Sequence, residues 1–226
     1  MSAPNLPTFR AVIFDMDGLL LDSERIVKEC WERASSEVGY SIPDSLFRQL
    51  IGRNSPDSRK LILDAVGHDF PLEEVGARCL EYEEDYLQEH GMPVKPGAVE
   101  LIEWLIDQDI DLSVATSTRR KKALARLEMA NLLPHFKFIC AGDQVAKGKP
   151  APDLFWLAAE RMRILPNSCL VLEDAGPGVH GAYAAGMTPL LVPDLVTPDE
   201  ETRKLAWGVF DSLHDVLAKL EAAAAE

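Results

Sequence analysis

The first apolar run of the chain, Ala11-Val12-Ile13-Phe14, stops abruptly at Asp15. Four consecutive apolar residues closed by a polar turn describe a short strand covered on both faces, as in a parallel sheet. A second apolar run, Leu19-Leu20-Leu21, follows Gly18. From Glu24 onward the spacing becomes helical. Ile26, Cys30 and Ala34 recur four apart with Val27, Trp31 and Val38 beside them, and Gly39 offers a stop. Further helices are expected over 44–51, 56–66 and 71–89, punctuated by Gly52, Gly67 and Gly91. Between Ser23 and Gly91 no strand pattern occurs. After Pro96 the two periods alternate. Helix spacing through Ala98, Leu101, Ile102, Leu105 and Ile106 leads to a strand over 112–115 that ends at Thr116. A helix over 119–130, a strand over 136–141 and a helix over 152–162 come next. A strand over 169–172 ends at Glu173, and a helix over 177–185, a strand over 189–192 and a closing helix over 211–225 complete the chain.

Strands that alternate with helices require crossover connections, which build a parallel sheet with helices on both faces. The expected fold class is therefore α/β, with a core formed by 1–22 and 92–226 and an all-helical unit, 23–91, inserted after the first strand. The last inserted helix carries Glu73, Glu74, Glu81, Glu83, Glu84, Asp85 and Glu89 against a single Arg78. Its pattern reads as a solvated acidic face.

Composition narrows the function classes. With 226 residues, 47% of them hydrophobic and 27% charged, the chain can bury a globular core. No apolar stretch reaches the roughly 20 residues of a membrane span. Residues 1–8 lack the cationic start and apolar run of a signal peptide, so a cytoplasmic protein is expected. Cys30, Cys79, Cys140 and Cys169 lie far apart in the sequence and read as reduced core thiols. A formal net charge of −14 argues against nucleic-acid and anionic-membrane partners. An anionic substrate stays compatible with such a chain if a metal and a few local cations reverse the potential at the site.

The candidate chemistry sits at strand ends. Asp15 and Asp17 follow the first strand, where carboxylates two residues apart can serve one reacting centre, and Gly18 turns the chain while leaving backbone N–H groups open to an anion. Thr116, in A-T-S-T-R, closes the second strand, Lys149 lies in K-G-K-P-A-P-D, and Glu173-Asp174 closes a later strand in V-L-E-D-A-G-P-G-V. Parallel strands bring such ends to one edge, where open α/β sheets bind ligands. Taken singly, each has an ordinary reading: a turn threonine, a surface lysine, an acidic pair at a helix start. Together they suit phosphoryl transfer. Asp15 would attack phosphorus, Asp17 would act as general acid and base, and Lys149 would neutralise shared charge. Asp15, the Asp17 carbonyl, Asp174 and Glu173 supply the oxygen ligands that Mg²⁺ prefers. Arg119, Arg120, Lys121 and Lys122 crowd the start of a helix, either as a solvated cluster or because Arg119 and Thr118 meet a substrate phosphate near Thr116. The stretch G-D-Q-V-A-K-G-K-P is not a nucleotide-binding loop: five residues separate Gly142 from Gly148, and Pro150 stands where Ser or Thr is required.

The segment D-M-D-G-L-L-L-D-S-E from Asp15 resembles the first motif of the haloacid dehalogenase superfamily, in the wording of its capped phosphatases and β-phosphoglucomutase-like members. Thr116, Lys149 and Glu173/Asp174 match the remaining motifs in order, so the resemblance covers essentially the whole chain. It implies a Rossmann-like core, a small helical cap at 23–91, Asp15 as nucleophile, and phosphate binding at Gly18, Thr116, Ser117 and Thr118. Asp17 separates the chain from dehalogenase-like members, which lack the second aspartate. β-Phosphoglucomutase carries a histidine on the first cap helix at the position aligned with Val27, and this departure favours hydrolysis over mutase chemistry. Arg53 falls in a cap loop that contacts substrate in relatives. The expectation is a monomeric, Mg²⁺-dependent phosphatase of a small phosphorylated metabolite, a sugar phosphate above all. The alternatives are a sugar phosphomutase and a non-catalytic phosphate-binding protein.

Overall fold

The computed structural model describes residues 7–51 and 55–225, with the backbone alone for 55–57. Strand β1 (Ala11–Phe14) leads into the insertion, whose helices are α1 (Ser23–Glu37), α2 (Asp44–Leu50), α3 (Ser55–Val66) and α4 (Leu72–His90). The chain then returns through α5 (Ala98–Asp107), β2 (Asp111–Thr116), α6 (Arg120–Met129), β3 (Phe138–Ala141) and α7 (Asp153–Met162). It closes with β4 (Cys169–Glu173), α8 (Gly176–Ala184), β5 (Thr188–Leu191), α9 (Glu200–Leu205), β6 (Gly208–Val209) and α10 (Leu213–Ala224).

The described strands form one six-stranded sheet in the order β3-β2-β1-β4-β5-β6, and every pairing is parallel. This is the doubly wound α/β arrangement, with β1 central and the order reversing beside it, where such sheets open a crevice at the strands' carboxyl ends. Alternation along β1 explains its uniform hydrophobicity. Val12 and Phe14 enter the core layer built with Leu101, Leu105, Leu127 and Val216, from the helices on one face. Ala11 and Ile13 enter the layer formed with Leu154, Phe155 and Ala182 on the other. The insertion has its own core, in which Ile26, Cys30 and Ala34 of α1 meet Val75 and Cys79 of α4. All four cysteines are buried free thiols. No helix among the described residues is long and apolar enough to cross a membrane.

Several boundaries differ from the sequence pattern. Strand β3 begins at Phe138, because 136 still closes the 3-10 turn Leu133–His135. Helix α10 starts at Leu213, set by Ser212, whose hydroxyl accepts the Asp215 N–H. Helix α9 and strand β6 were not expected. Asp199 caps α9 by accepting the Thr202 N–H at 2.7 Å, and β6 pairs only at Leu190↔Gly208 and Leu191↔Val209. Two short elements among polar residues give periodicity too little length to register.

Phe155 links this framework to the strand edge. It is fully buried, its ring would lie 2.9 Å from a Cβ at Gly181, and the Lys149 ammonium stands 5.4 Å from the ring centroid. Phe155→Ala is expected to lower the unfolding free energy by about 3–5 kcal/mol through cavity formation. Urea unfolding measures it, and a loss under about 1 kcal/mol would contradict this packing.

Candidate active site

Register places the site. Phe14 pairs with Val114 of β2 and Leu172 of β4, so the three strands end side by side and release Asp15, Thr116 and Glu173 onto one edge. Asp15 keeps one more sheet bond, donating its N–H to the Leu172 carbonyl at 2.9 Å. Beyond it Gly18 adopts φ +88°, and a Cβ there would fall 2.3 Å from Asp174 Oδ2. Only glycine lets this loop approach β4 so closely.

Lys149 reaches this edge from the loop before α7 and is itself buried. Its ammonium donates to Asp15 Oδ1 and to Glu173 Oε1, the latter at 2.6 Å. Burial alone would favour neutral lysine, but the two carboxylates outweigh it and raise the Lys149 pKa. Asp15, Glu173 and Asp174 present oxygens that all lie within 4.8 Å of one another. Burial, then Glu173 and Asp17, push Asp15 up to about 8 against the pull of Lys149. Burial and the neighbouring Glu24 and Asp15 raise Asp174 well above the ordinary carboxylate range. Glu173 is also raised by burial, opposed by Lys149 and by the Ala175 and Asp174 backbone N–H groups.

One lysine among these carboxylates leaves negative charge in excess. The all-oxygen donor set and its burial therefore fit a hard divalent cation of the Mg²⁺ type. Glu24 adds to that fit: its Oε2 is buried without a hydrogen-bond partner, and burial together with Asp17 and Asp15 pushes its pKa up to about 9. Glu24 closes the segment D-M-D-G-L-L-L-D-S-E, where no pattern beyond its place directly after Asp22-Ser23 marks it as part of the site.

Asp17 stands in a different environment. Its Oδ1 accepts from the Ser23 hydroxyl at 2.6 Å and from Arg126 Nη1. Its Oδ2 accepts from Thr118 Oγ1 at 2.7 Å and Thr116 Oγ1 at 3.5 Å. Burial opposes the charge, yet Arg126 and the Ser23 and Thr118 hydroxyls prevail and hold the carboxyl below the usual range. The Thr116 hydroxyl also accepts the Thr118 N–H at 3.1 Å, folding the turn that carries Ser117 back onto the strand end. Thus Asp15, Asp17, Gly18, Thr116, Thr118, Lys149, Glu173 and Asp174 do converge. Arg119 lies on the exposed start of α6, where it lines a cavity of about 460 Å³ between α4 and α6. Arg53 lies outside the described residues.

One expectation is overturned. Glu83, read as part of a solvated acidic face, is only 3% exposed. Its Oε1 accepts from Arg126 Nη2, and its Oε2 accepts from Lys122 Nζ at 2.6 Å. Arg126, itself buried, thereby joins α4 of the insertion to Asp17 of the core. Lys122 is likewise not simply part of a solvated cluster. Both residues had a legible signal. Glu83 continues the buried stripe Val75-Cys79 on α4, and Arg126 falls between Ala123 and Leu127 on α6. Charges inside an apolar stripe call for partners.

Comparison with known proteins identifies the family. Residues 9–186 match the family described as haloacid dehalogenase-like hydrolase. A phosphorylated carbohydrates phosphatase of Thermotoga maritima is 32% identical, over 95% of this chain and 91% of the relative. CbbY from Rhodobacter sphaeroides, solved in complex with phosphate, superposes with a TM-score of 0.80 at 25% identity, covering 95% of this chain and all of the other. A β-phosphoglucomutase from Clostridium difficile shares the fold, with a TM-score of 0.77 at 22% identity over 97% of this chain and all of the other. Matched motifs, sheet order and these relatives lead to one statement: the chain belongs to the haloacid dehalogenase-like hydrolase family, among its phosphatases and β-phosphoglucomutase-like members.

Proposed function

We propose that this protein is a Mg²⁺-dependent phosphatase of small phosphomonoesters, with sugar phosphates as the substrate class. The observation that carries the reading is the pairing of two aspartates in opposed environments on one strand end. Asp15 is held by Lys149 among buried carboxylates, and Asp17 is held by Arg126 and three hydroxyls. Carboxylates whose surroundings differ this far divide naturally into distinct roles.

An Asp15 carboxylate oxygen attacks phosphorus and forms an aspartyl-phosphate, as the bond to the leaving alcohol oxygen breaks. Asp17 gives its proton to that oxygen. Water then attacks phosphorus, Asp17 takes a proton from it, and the bond to Asp15 breaks, releasing inorganic phosphate and restoring both residues. Positive charge joining Lys149 at the cluster lowers the Asp15 pKa and ionises the nucleophile. A phosphate dianion arriving near Asp17 raises that residue's proton affinity. Bound at Asp15, Asp174 and the Asp17 carbonyl, Mg²⁺ would neutralise charge and polarise phosphoryl oxygens. Glu173, engaged with Lys149 and the backbone, orients the ammonium beside that set. Gly18, Thr116, Ser117 and Thr118 line the phosphate position. The insertion acts as a cap that excludes water and reads the leaving group.

The fold shared with a β-phosphoglucomutase makes a mutase the second reading. At Val27 the local chemistry supports hydrolysis instead. Val27 packs with Trp31, Phe47 and Ile51 against Ala175, and its own side chain has no proton to give or take.

Phosphate release from a panel of sugar phosphates tests the proposal. Release is expected with Mg²⁺ and not with chelator. Asp15→Asn should lower it by about 10³-fold or more, with the fold retained in circular dichroism. Retained activity in Asp15→Asn would sink the mechanism. Arg119→Ala is expected to raise KM about tenfold with kcat nearly constant, the scale of one charged hydrogen bond to substrate. An unchanged KM would return Arg119 to the surface.

A further inference from the structure

We infer that Glu83 and Arg126 form a positioning pair through which the insertion sets the side chain of Asp17. The inference deepens the phosphatase reading and rests on it for the role of Asp17. The three residues come from three separate places: the loop after β1, helix α4 of the insertion, and helix α6 of the core.

Arg126 divides its planar fork between two acids. Nη1 donates to Asp17 Oδ1, and Nη2 donates to Glu83 Oε1. A guanidinium held at both arms has one orientation, whereas one held at a single arm can turn about that contact. Glu83 is fixed in turn, because Lys122 Nζ donates to its other oxygen at 2.6 Å. With Ser23 also donating to Oδ1, that atom of Asp17 is anchored. Oδ2 faces Thr118 and Thr116, the hydroxyls on the side where phosphate is proposed to bind. The pair therefore selects which carboxylate oxygen meets the substrate and which is kept away from it.

The arrangement also depends on where the insertion sits. Glu83 and Arg126 are both buried at the seam between α4 and α6. A buried ion that loses its partner is strongly disfavoured, so the full set of contacts exists only with α4 seated on α6. Arg126 Nε is buried with no hydrogen-bond partner. An apolar residue would avoid that cost, so packing alone gives little reason for arginine here. Seating of the insertion and orientation of Asp17 are thus one event, and the proton carrier is in place only when the site is covered.

Two readouts on Glu83→Gln, Arg126→Gln and the double variant test this. In steady-state hydrolysis of a sugar phosphate with Mg²⁺, Glu83→Gln is expected to lower kcat about tenfold with KM within about twofold. Arg126→Gln should lower kcat about 10²-fold, the scale of a misplaced general acid. The double variant should be no slower than Arg126→Gln, because Glu83 acts only through the arginine. Arg126→Lys should recover little, since an ammonium lacks the fork. The second readout needs no turnover: the ¹³Cγ resonance of Asp17 should move in Glu83→Gln and stay put when the same change is made on Arg126→Gln. If Arg126→Gln fails to fold, the Glu83→Gln shift and its kcat-against-KM split decide alone. An unmoved Asp17 resonance, or additive losses in kcat, overturns the inference even where Asp15→Asn upholds the phosphatase. A coupled resonance in a protein that releases no phosphate upholds the positioning pair and removes the phosphatase reading instead.

Discussion

A single buried ammonium holds the strand edge together. Asp15, Glu173 and Asp174 are each under 10% exposed, and their oxygens crowd within 4.8 Å. Carboxylates that close repel strongly in a low-dielectric surrounding. Lys149 satisfies two of them and is locked in place by doing so. The geometry around it follows from this constraint. Gly178 on α8 has no Cβ because one would overlap Glu173 Oε1 at 1.8 Å. Phe155 stands under the ammonium, and α7 carries that ring from the core. The deficit of positive charge that Lys149 leaves is also what suits the edge to a cation and, with it, to an anionic substrate.

The net charge of −14 gives little idea of how cations are distributed. Lys149, Arg126 and Lys122 converge on the strand edge and its seam with the insertion, each paired with a buried or half-buried acid. Beside α1, Arg25 and Lys95 both reach Asp194, at 2.7 and 2.9 Å. The acidic excess lies largely on solvated faces such as the rest of α4. A phosphate approaching the site meets local potential, to which distant surface acids contribute little across a Debye length of about 8 Å.

Much of the site was legible because its residues obey one rule. Asp15, Thr116 and Glu173 each end a short apolar run, and parallel strands deliver such ends to a common edge. Lys149 was legible from order and motif rather than periodicity, since it lies in a loop. Glu83 and Arg126 escaped for a physical reason. Helical spacing tells which face of α4 is apolar, but not that α6 lies against the end of that face and brings a guanidinium to it. Seven acids on one helix made a solvated face the simpler reading, although Glu83 alone of them continues the Val75-Cys79 stripe. The short elements α9 and β6 escaped because a capped six-residue helix and a two-residue strand carry almost no period.

The insertion touches the core in two chemically different ways. At the side of α1 and α2, exposed charges surround an apolar contact in which Phe47 and Ile51 are buried against Ala175. Arg25 is about half exposed in its pair with Asp194, and Arg48 donates to the Leu195 carbonyl from an exposed position. Exposed guanidinium groups exchange their partners readily for water. At the side of α4 the Glu83 and Arg126 side chains are 5% and 7% exposed, and Arg126 also bears on Asp17. Water can replace the exposed charges at little cost, whereas separating Glu83 from Arg126 would leave buried charges unpaired beside Asp17. The buried charge at α4 therefore ties the insertion to Asp17, while Val27, Trp31, Phe47 and Ile51 pack as an apolar cluster against Ala175.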